Sequence, residues 1–271
     1  MNNDEPIRID IKSILKLKAP NTKLPTFIVN YIRRIAHERD LNKLFIACQG
    51  TINFEFIDAS LKYLDIEVRV EGKENLPKDG RFIFAGNHPL GGLDGITTGL
   101  VLSKNYNEKI RFFSNDLLMN LEPLKDLFIP VNKVGKQSKE YAAITHDIYT
   151  SDYQLITYPS GMCSRKVKGK VVDMEWKKSF ISKAVEYQRD IIPVYFEGRN
   201  SNFFYNLANL RKFLGIKINI EMLYLVDELF KNRGSRFTIR IGKPIPWQTF
   251  DKSKSQAEWA QWVKEIVYKM A

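Results

Sequence analysis

Cysteine is nearly missing from this chain: Cys48 and Cys163 are the only two among 271 residues. A disulfide framework is therefore not expected, and a reducing compartment is. Histidine is almost as rare. His37, His88 and His146 lie far apart, and no Cys/His cluster has zinc-ligand spacing, so no metal site is expected. No uninterrupted apolar stretch approaches the roughly 18–20 residues that span a bilayer, which leaves a soluble chain or one lying on a membrane surface. The first residues, Met1-Asn2-Asn3-Asp4-Glu5, bring acids and no apolar segment, unlike a secretory signal. Internal repeats, low-complexity tracts and linkers are missing too, as are zinc-finger and aromatic ribonucleoprotein signatures.

What is present is a core and an excess of positive charge. Hydrophobic residues make up 44% and charged residues 27%, which fits a folded chain and excludes a disordered one. The formal net charge of +11 favours an anionic partner: nucleic acid, anionic lipid or an acidic carrier protein. The excess is spread along the chain and no nucleic-acid motif accompanies it. An anionic membrane surface therefore ranks first, and no nucleic acid is expected.

Residues 1–65 read as helical. Pro25-Thr26 opens a segment with Phe27, Ile28, Tyr31, Ile32 and Ile35 on one face, and Arg33, Arg34 and Arg39 toward the other. Leu41, Leu44, Phe45 and Cys48 mark a second helix, and Phe54, Ile57, Leu61 and Leu64 a third. Such a layer can pack on the core, rest on a membrane, or do both. From 66 onward short strands alternate with helices. Strands are expected at 66–70, 81–86, 110–114, 127–131, 154–158, 191–196 and 237–241. Helices are expected at 94–103, 116–123, 137–150, 176–187, 202–213 and 255–270, with 216–230 read as strand then helix. The pattern predicts an α/β fold: a mixed, mostly parallel sheet covered by helices on both faces, with an N-terminal helical layer (1–65) and an α/β domain (66–271).

One segment stands out. The apolar run Phe82-Ile83-Phe84-Ala85-Gly86 ends in Asn87-His88, followed by Gly91, Gly92 and Asp94, after which the pattern turns helical. That places a histidine at a strand's carboxyl end with a carboxylate one loop away, where open α/β sheets carry their chemistry. Such a pair can act as a general base, the carboxylate fixing the tautomer and stabilising the imidazolium. A structural histidine and a helix-capping aspartate are the alternatives. Three further segments follow: Leu127-Phe128-Ile129-Pro130-Val131-Asn132-Lys133, Gln154-Leu155-Ile156-Thr157-Tyr158-Pro159-Ser160-Gly161-Met162-Cys163-Ser164-Arg165, and Ile191-Ile192-Pro193-Val194. Ser160 and Cys163 do not lie in a Gly-x-Ser-x-Gly elbow, so an enzyme nucleophile is not expected. Phe203, Phe204 and Tyr205 read as core or as an acyl groove, and Trp176 as helix packing or a lipid-interface anchor.

In this order the segments resemble the glycerolipid acyltransferase family, which includes the lysophosphatidate acyltransferases, over residues 66–245. The family's blocks run Asn-His-x4-Asp, Phe-Ile-x-Arg, Phe-Pro-Glu-Gly-Thr-Arg and Val-Pro-Val. Here five residues separate His88 from Asp94, Val131 stands in place of the second-block Arg, Ser160 in place of Glu, and Arg165 is displaced. The run Pro159-x-Gly161-x-x-Ser164-Arg165, with Gly169, Asp173, Trp176, Lys177, Phe180 and Ala184, resembles the bacterial hemolysin-like branch that completes ornithine and glycine lipids. The resemblance implies an O-acyltransferase that moves a fatty acyl group from an acyl thioester to the hydroxyl of a lyso-aminolipid. His88 and Asp94 are its catalytic pair, and Asn87, Gly92, Lys133, Ser160, Gly161 and Arg165 its substrate-binding residues. The oxyanion would be met by backbone N–H groups near Gly161 or at the helix after Asp94. No cofactor is bound; acyl carrier protein or coenzyme A delivers the acyl group. The place implied is the cytoplasmic face of a bacterial inner membrane. The alternatives are a lysophosphatidate acceptor or a non-catalytic lipid-binding relative.

Overall fold

The computed structural model describes residues 8–18, 24–114, 121–130, 139–217 and 219–271. The chain divides into two compact units. One comprises Met1–Thr51, Asp58–Glu67 and Asn200–Ser235; the other comprises Ile52–Ile57, Val68–Arg199 and Arg236–Ala271. The sequence boundary at 65 follows chain order, whereas packing adds Asn200–Ser235 to the N-terminal helices.

The larger unit is built on a seven-stranded sheet of β1 (Glu67–Glu71), β2 (Phe82–Gly86), β3 (Ile110–Ser114), β4 (Phe128–Pro130), β5 (Gln154–Thr157), β8 (Asp190–Glu197) and β9 (Arg236–Ile241). Their order is β1-β9-β8-β2-β5-β3-β4. β2 runs parallel to both neighbours, with Ile83 opposite Leu155 and Ile191. All five β2 residues are buried, which explains an apolar run without alternation: a central parallel strand is covered on both faces. β9 pairs antiparallel with β8.

Alternate β2 residues serve different layers. Ile83 and Ala85 join Trp176, Phe180, Ile181, Trp259 and Val263 in one core cluster. That cluster is supplied by α7 (Ser179–Tyr187) and α10 (Gln256–Lys269), the latter opened by a Ser255/Glu258 capping box. Phe82 and Phe84 instead meet Tyr106 on the opposite face. There α5 (Leu93–Ser103) packs on β3, with Gly99 directly over the buried Phe112 ring. A methyl group at Gly99 has no room. Gly99→Ala is expected to cost about 1–3 kcal/mol by overpacking, read as a lower denaturant midpoint at unchanged m-value.

The remaining elements of this unit are α6 (Lys139–Thr150) and a hairpin of β6 (Arg165–Val167) and β7 (Lys170–Val172). No strand was expected there. The signal was the Lys168-Gly169 pair, a two-residue turn with both φ values positive, 47° and 82°. The expected helix at 116–123 lies largely outside the described residues; 122–127 form a 3-10 turn instead.

The smaller unit holds α1 (Ile11–Lys18), α2 (Thr26–Ile35), α3 (Glu38–Ala47), the later turns of α4 (Asn53–Tyr63), α8 (Asn202–Phe213) and α9 (Leu225–Lys231). Phe204 and Tyr205 are fully buried on α8, so they are core, while Phe203 is half exposed. The strand expected after 216 is not found among the described residues; a 3-10 turn, Ile220–Tyr224, leads into α9. Buried Glu221 explains this, because its carboxylate is held on α8 by Arg211 at 2.8 Å. No described helix is long and apolar enough to cross a membrane.

Candidate active site

The site lies wholly in the sheet unit, at the carboxyl ends of β2 and β5. Parallel register brings Ala85 level with Thr157, so the loops leaving the two strands start side by side. His88 follows β2, and its Nδ1 lies 3.1 Å from Asp94 Oδ2. The five-residue spacing therefore keeps the pair in contact. The loop turns at Gly91, whose φ of 88° is open to glycine at no steric cost. The loop curls so that the Leu90 and Gly91 amides donate to Asp94 Oδ2 (2.9 and 3.3 Å), while the Gly95 amide donates to Oδ1 (2.8 Å). Asp94 is fully buried and its carboxyl group is held in place by three amides. The Nδ1 approach is close but outside hydrogen-bond alignment, a slack common before a reactant tightens such a site.

The His88 ring stacks on Tyr158, with centroids 4.3 Å apart and planes inclined by 23°. The side chain is 16% exposed, and Nε2 has no protein partner among the described residues. Burial pushes the imidazole pKa down, but the charge of Asp94, and that of Asp173 beyond it, outweigh burial and Arg165; the net direction is up. The ring can thus take a proton at Nε2 while Asp94 balances the charge formed.

Asp173 lies beside His88, where residue-by-residue reading did not place it. It is 2% exposed. Its Oδ1 accepts from Ser164 Oγ (2.6 Å) and from the His88 amide (3.2 Å), and its Oδ2 accepts from Trp176 Nε1 (2.9 Å). The Ser164 amide in turn donates to the His88 carbonyl at 2.7 Å. His88 is therefore gripped at both backbone groups by one carboxylate and one serine. The β6–β7 hairpin makes this possible: Arg165 pairs with Val172, which sets Ser164 opposite Asp173. From α10, the Tyr268 hydroxyl accepts the Asp173 amide and Lys264 donates to the Asp173 carbonyl. Trp176 is 1% exposed, so it packs the helix layer and does not anchor at a lipid interface.

The remaining expected site residues are placed as follows. Asn87 spends both ends of its amide on Phe196, donating to its carbonyl (3.0 Å) and accepting its N–H (2.7 Å), and so clips β2 to β8. Ser160 donates to the Met162 carbonyl within its own turn. The Gly161 amide is spent on the Tyr158 carbonyl at 2.9 Å, so it is not an open oxyanion donor. Arg165 is buried, with Nη1 on the carbonyls of Cys163 and Ser164. The exposed Lys177 brings its Nζ over Gly161, where a side chain at that position would crowd it. Gly92 begins α5 with open space where a side chain would stand. Lys133 lies outside the described residues. Cys163 is fully buried and burial pushes its thiol pKa up, the opposite of an activated nucleophile.

A His–Asp pair at the carboxyl end of a central strand in a mostly parallel α/β sheet, with no activated nucleophile among the described residues, suits an enzyme of the group-transfer class. The family model described as Acyltransferase matches residues 13–271. The chain belongs to the acyltransferase family. It is 49% identical over 272 residues to the lyso-glycine lipid O-acyltransferase of Bacteroides thetaiotaomicron, covering all of both chains. It is also 49% identical to the protein of the same name from Phocaeicola vulgatus, covering all of this chain and 98% of that one. The crystal structure of the 1-acyl-sn-glycerophosphate (LPA) acyltransferase PlsC from Thermotoga maritima superposes with a TM-score of 0.50 at 19% identity, over 90% of this chain and 88% of that one. That likeness supports the α/β fold. The chain is an O-acyltransferase.

Proposed function

We propose that this enzyme transfers a fatty acyl group from an acyl thioester to the hydroxyl of a lyso-glycine lipid, with His88 as general base. The acceptor rests on 49% identity along the whole chain to two proteins of that name. The base rests on a ring whose Nδ1 faces a buried carboxylate, which leaves Nε2 to meet the acceptor. Nε2 takes the hydroxyl proton as the acceptor oxygen attacks the thioester carbonyl. The tetrahedral intermediate then collapses, the C–S bond breaks, and the departing thiolate takes the proton back from His88. Asp94 stabilises the transient imidazolium. The Leu93 and Asp94 N–H groups that open α5 receive the oxyanion, since the Gly161 amide is committed to Tyr158 and the Gly95 amide to Asp94. Lys177 and Lys133 supply positive charge for the donor's phosphates, which coenzyme A and the phosphopantetheine of acyl carrier protein share. The enzyme works as a peripheral protein on the cytoplasmic face of the inner membrane, where both lipid acceptor and soluble donor are reached.

Comparison of lipid extracts from cells with and without the gene, by mass spectrometry, tests this reading. Its loss is expected to accumulate the mono-acylated glycine lipid and remove the di-acylated form, with wild-type but not His88→Ala restoring it. An unchanged glycine-lipid profile with a raised lysophosphatidate pool would reassign the acceptor.

A further inference from the structure

The most exposed large hydrophobic side chain among the described residues is Phe213, 86% exposed at the end of α8. Beside it are Leu214 at 58% and Ile216 at 39%, and about one and about three turns back along the same helix lie Leu210 and Phe203, also about half exposed. Lys212 and Lys217 bracket the tip, and both are exposed. Between positions 200 and 220 the sequence holds Arg211, Lys212 and Lys217 and no Asp or Glu.

This tip is built, not frayed. The Gly215 amide bonds the Lys212 carbonyl and the Ile216 amide bonds the Arg211 carbonyl, both at 3.1 Å, the two bonds of a Schellman cap with Gly215 at φ 68°. Arg211 locks the turn from the inner side, donating to the Ile216 carbonyl at 2.8 Å while paired to buried Glu221. Phe204, Tyr205 and Ala208 occupy the packed face of the helix, so Phe213 and Leu214 are held outward by the same geometry that orders the cap. An ordered, projecting apolar tip ringed by cations costs solubility and gains the fold nothing.

We propose that the tip at residues 212–217 docks the enzyme on an anionic lipid surface, with Phe213 and Leu214 entering the interface and Lys212 and Lys217 at headgroup level. Two observations choose this occupant. The tip presents adjacent, strongly exposed apolar side chains with no partner packed on them, which suits a deformable interface, and its flanking charge is of one sign. The proposal extends the lipid-acceptor reading by giving the enzyme a place to reside, but binding itself is read without any substrate.

The experiment is co-sedimentation of the full chain with vesicles of phosphatidylglycerol and phosphatidylcholine, against phosphatidylcholine alone. Wild type is expected to sediment with the anionic vesicles and to be released by salt. The double variant Phe213→Ser, Leu214→Ser is expected to partition at least about tenfold more weakly, as is Lys212→Gln, Lys217→Gln. Each should keep its unfolding midpoint and its turnover of lyso-lipid in detergent micelles. Partitioning of the Phe213/Leu214 variant within about twofold of wild type overturns the proposal. So does a concentration-dependent wild-type dimer, seen by sedimentation velocity without vesicles and lost in that variant, which would assign the tip to a second copy. A chain that binds vesicles through the tip yet turns over no lyso-lipid would retain this proposal and overturn the functional one.

Discussion

His88→Ala is expected to lower kcat/KM by about 10²–10⁴-fold, the usual worth of a positioned general base, with the unfolding midpoint little changed. Single-turnover kinetics with purified protein and acyl-coenzyme A measure this directly, and full activity would remove His88 from the mechanism. Asp94→Asn should act through His88. It removes the charge that balances the imidazolium, and it turns one carboxylate oxygen into an N–H group facing an amide donor. The wild-type pH profile carries a sharper signature. The base must be neutral, and Asp94 raises its pKa despite burial, so activity should rise with pH along a limb lying above the ordinary histidine value of about 6.5. In Asp94→Asn the limb should move to lower pH while its plateau falls. Stability runs the other way. A histidine raised on folding contributes stability that is complete below its unfolded pKa and lost as pH rises through the folded one.

The second large effect is expected at Asp173. Removing this carboxylate with Asp173→Ala strands the buried Trp176 indole N–H, the Ser164 hydroxyl and the His88 amide. Three donors left without their acceptor should cost about 3–5 kcal/mol, measured by urea unfolding followed through tryptophan fluorescence. Asp173→Asn separates positioning from folding. The amide oxygen can still accept from Ser164 and the His88 amide, while its NH₂ meets the Trp176 donor, so a smaller loss of about 1–3 kcal/mol is expected. A folded Asp173→Asn enzyme should show reduced kcat with KM largely retained, and its His88 limb should move acid-ward because a supporting charge is gone. A merely structural role would move neither. Burial raises the Asp173 pKa. Its ionisation therefore opposes folding: stability is greatest below the unfolded value of about 3.9 and falls as pH rises through the folded pKa. The amide variant should lose that dependence.

The two groups share one small volume with opposite demands. Folding alone would be better served by a neutral Asp173, whereas its charge helps hold a proton on His88. The network of Ser164, Trp176, Tyr268 and Lys264 around Asp173 offsets part of the burial cost.

Local pattern carried much of the architecture. The unbroken apolar run of β2 announces a strand covered on both faces, and the alternation of short strands with helical periods announces a mostly parallel sheet. His88 was legible because a histidine at the end of such a strand is rare in a chain with three. Each of these depends on neighbours in sequence, where composition and period act directly. What tertiary structure decided depends on partners distant in the chain. The His88–Asp94 contact is made across a loop that turns through a glycine at positive φ. Asp173 grips His88 from 85 residues away, through the register of a hairpin no apolar pattern announced. Asn87 read as a substrate ligand, yet its amide is spent on the backbone of a strand 109 residues on. The basic patterning and apolar α8 residues were visible in sequence, but their outward orientation was not. A Schellman cap and one buried Arg–Glu pair fix which face packs, and the face left over is what the enzyme shows to its surroundings.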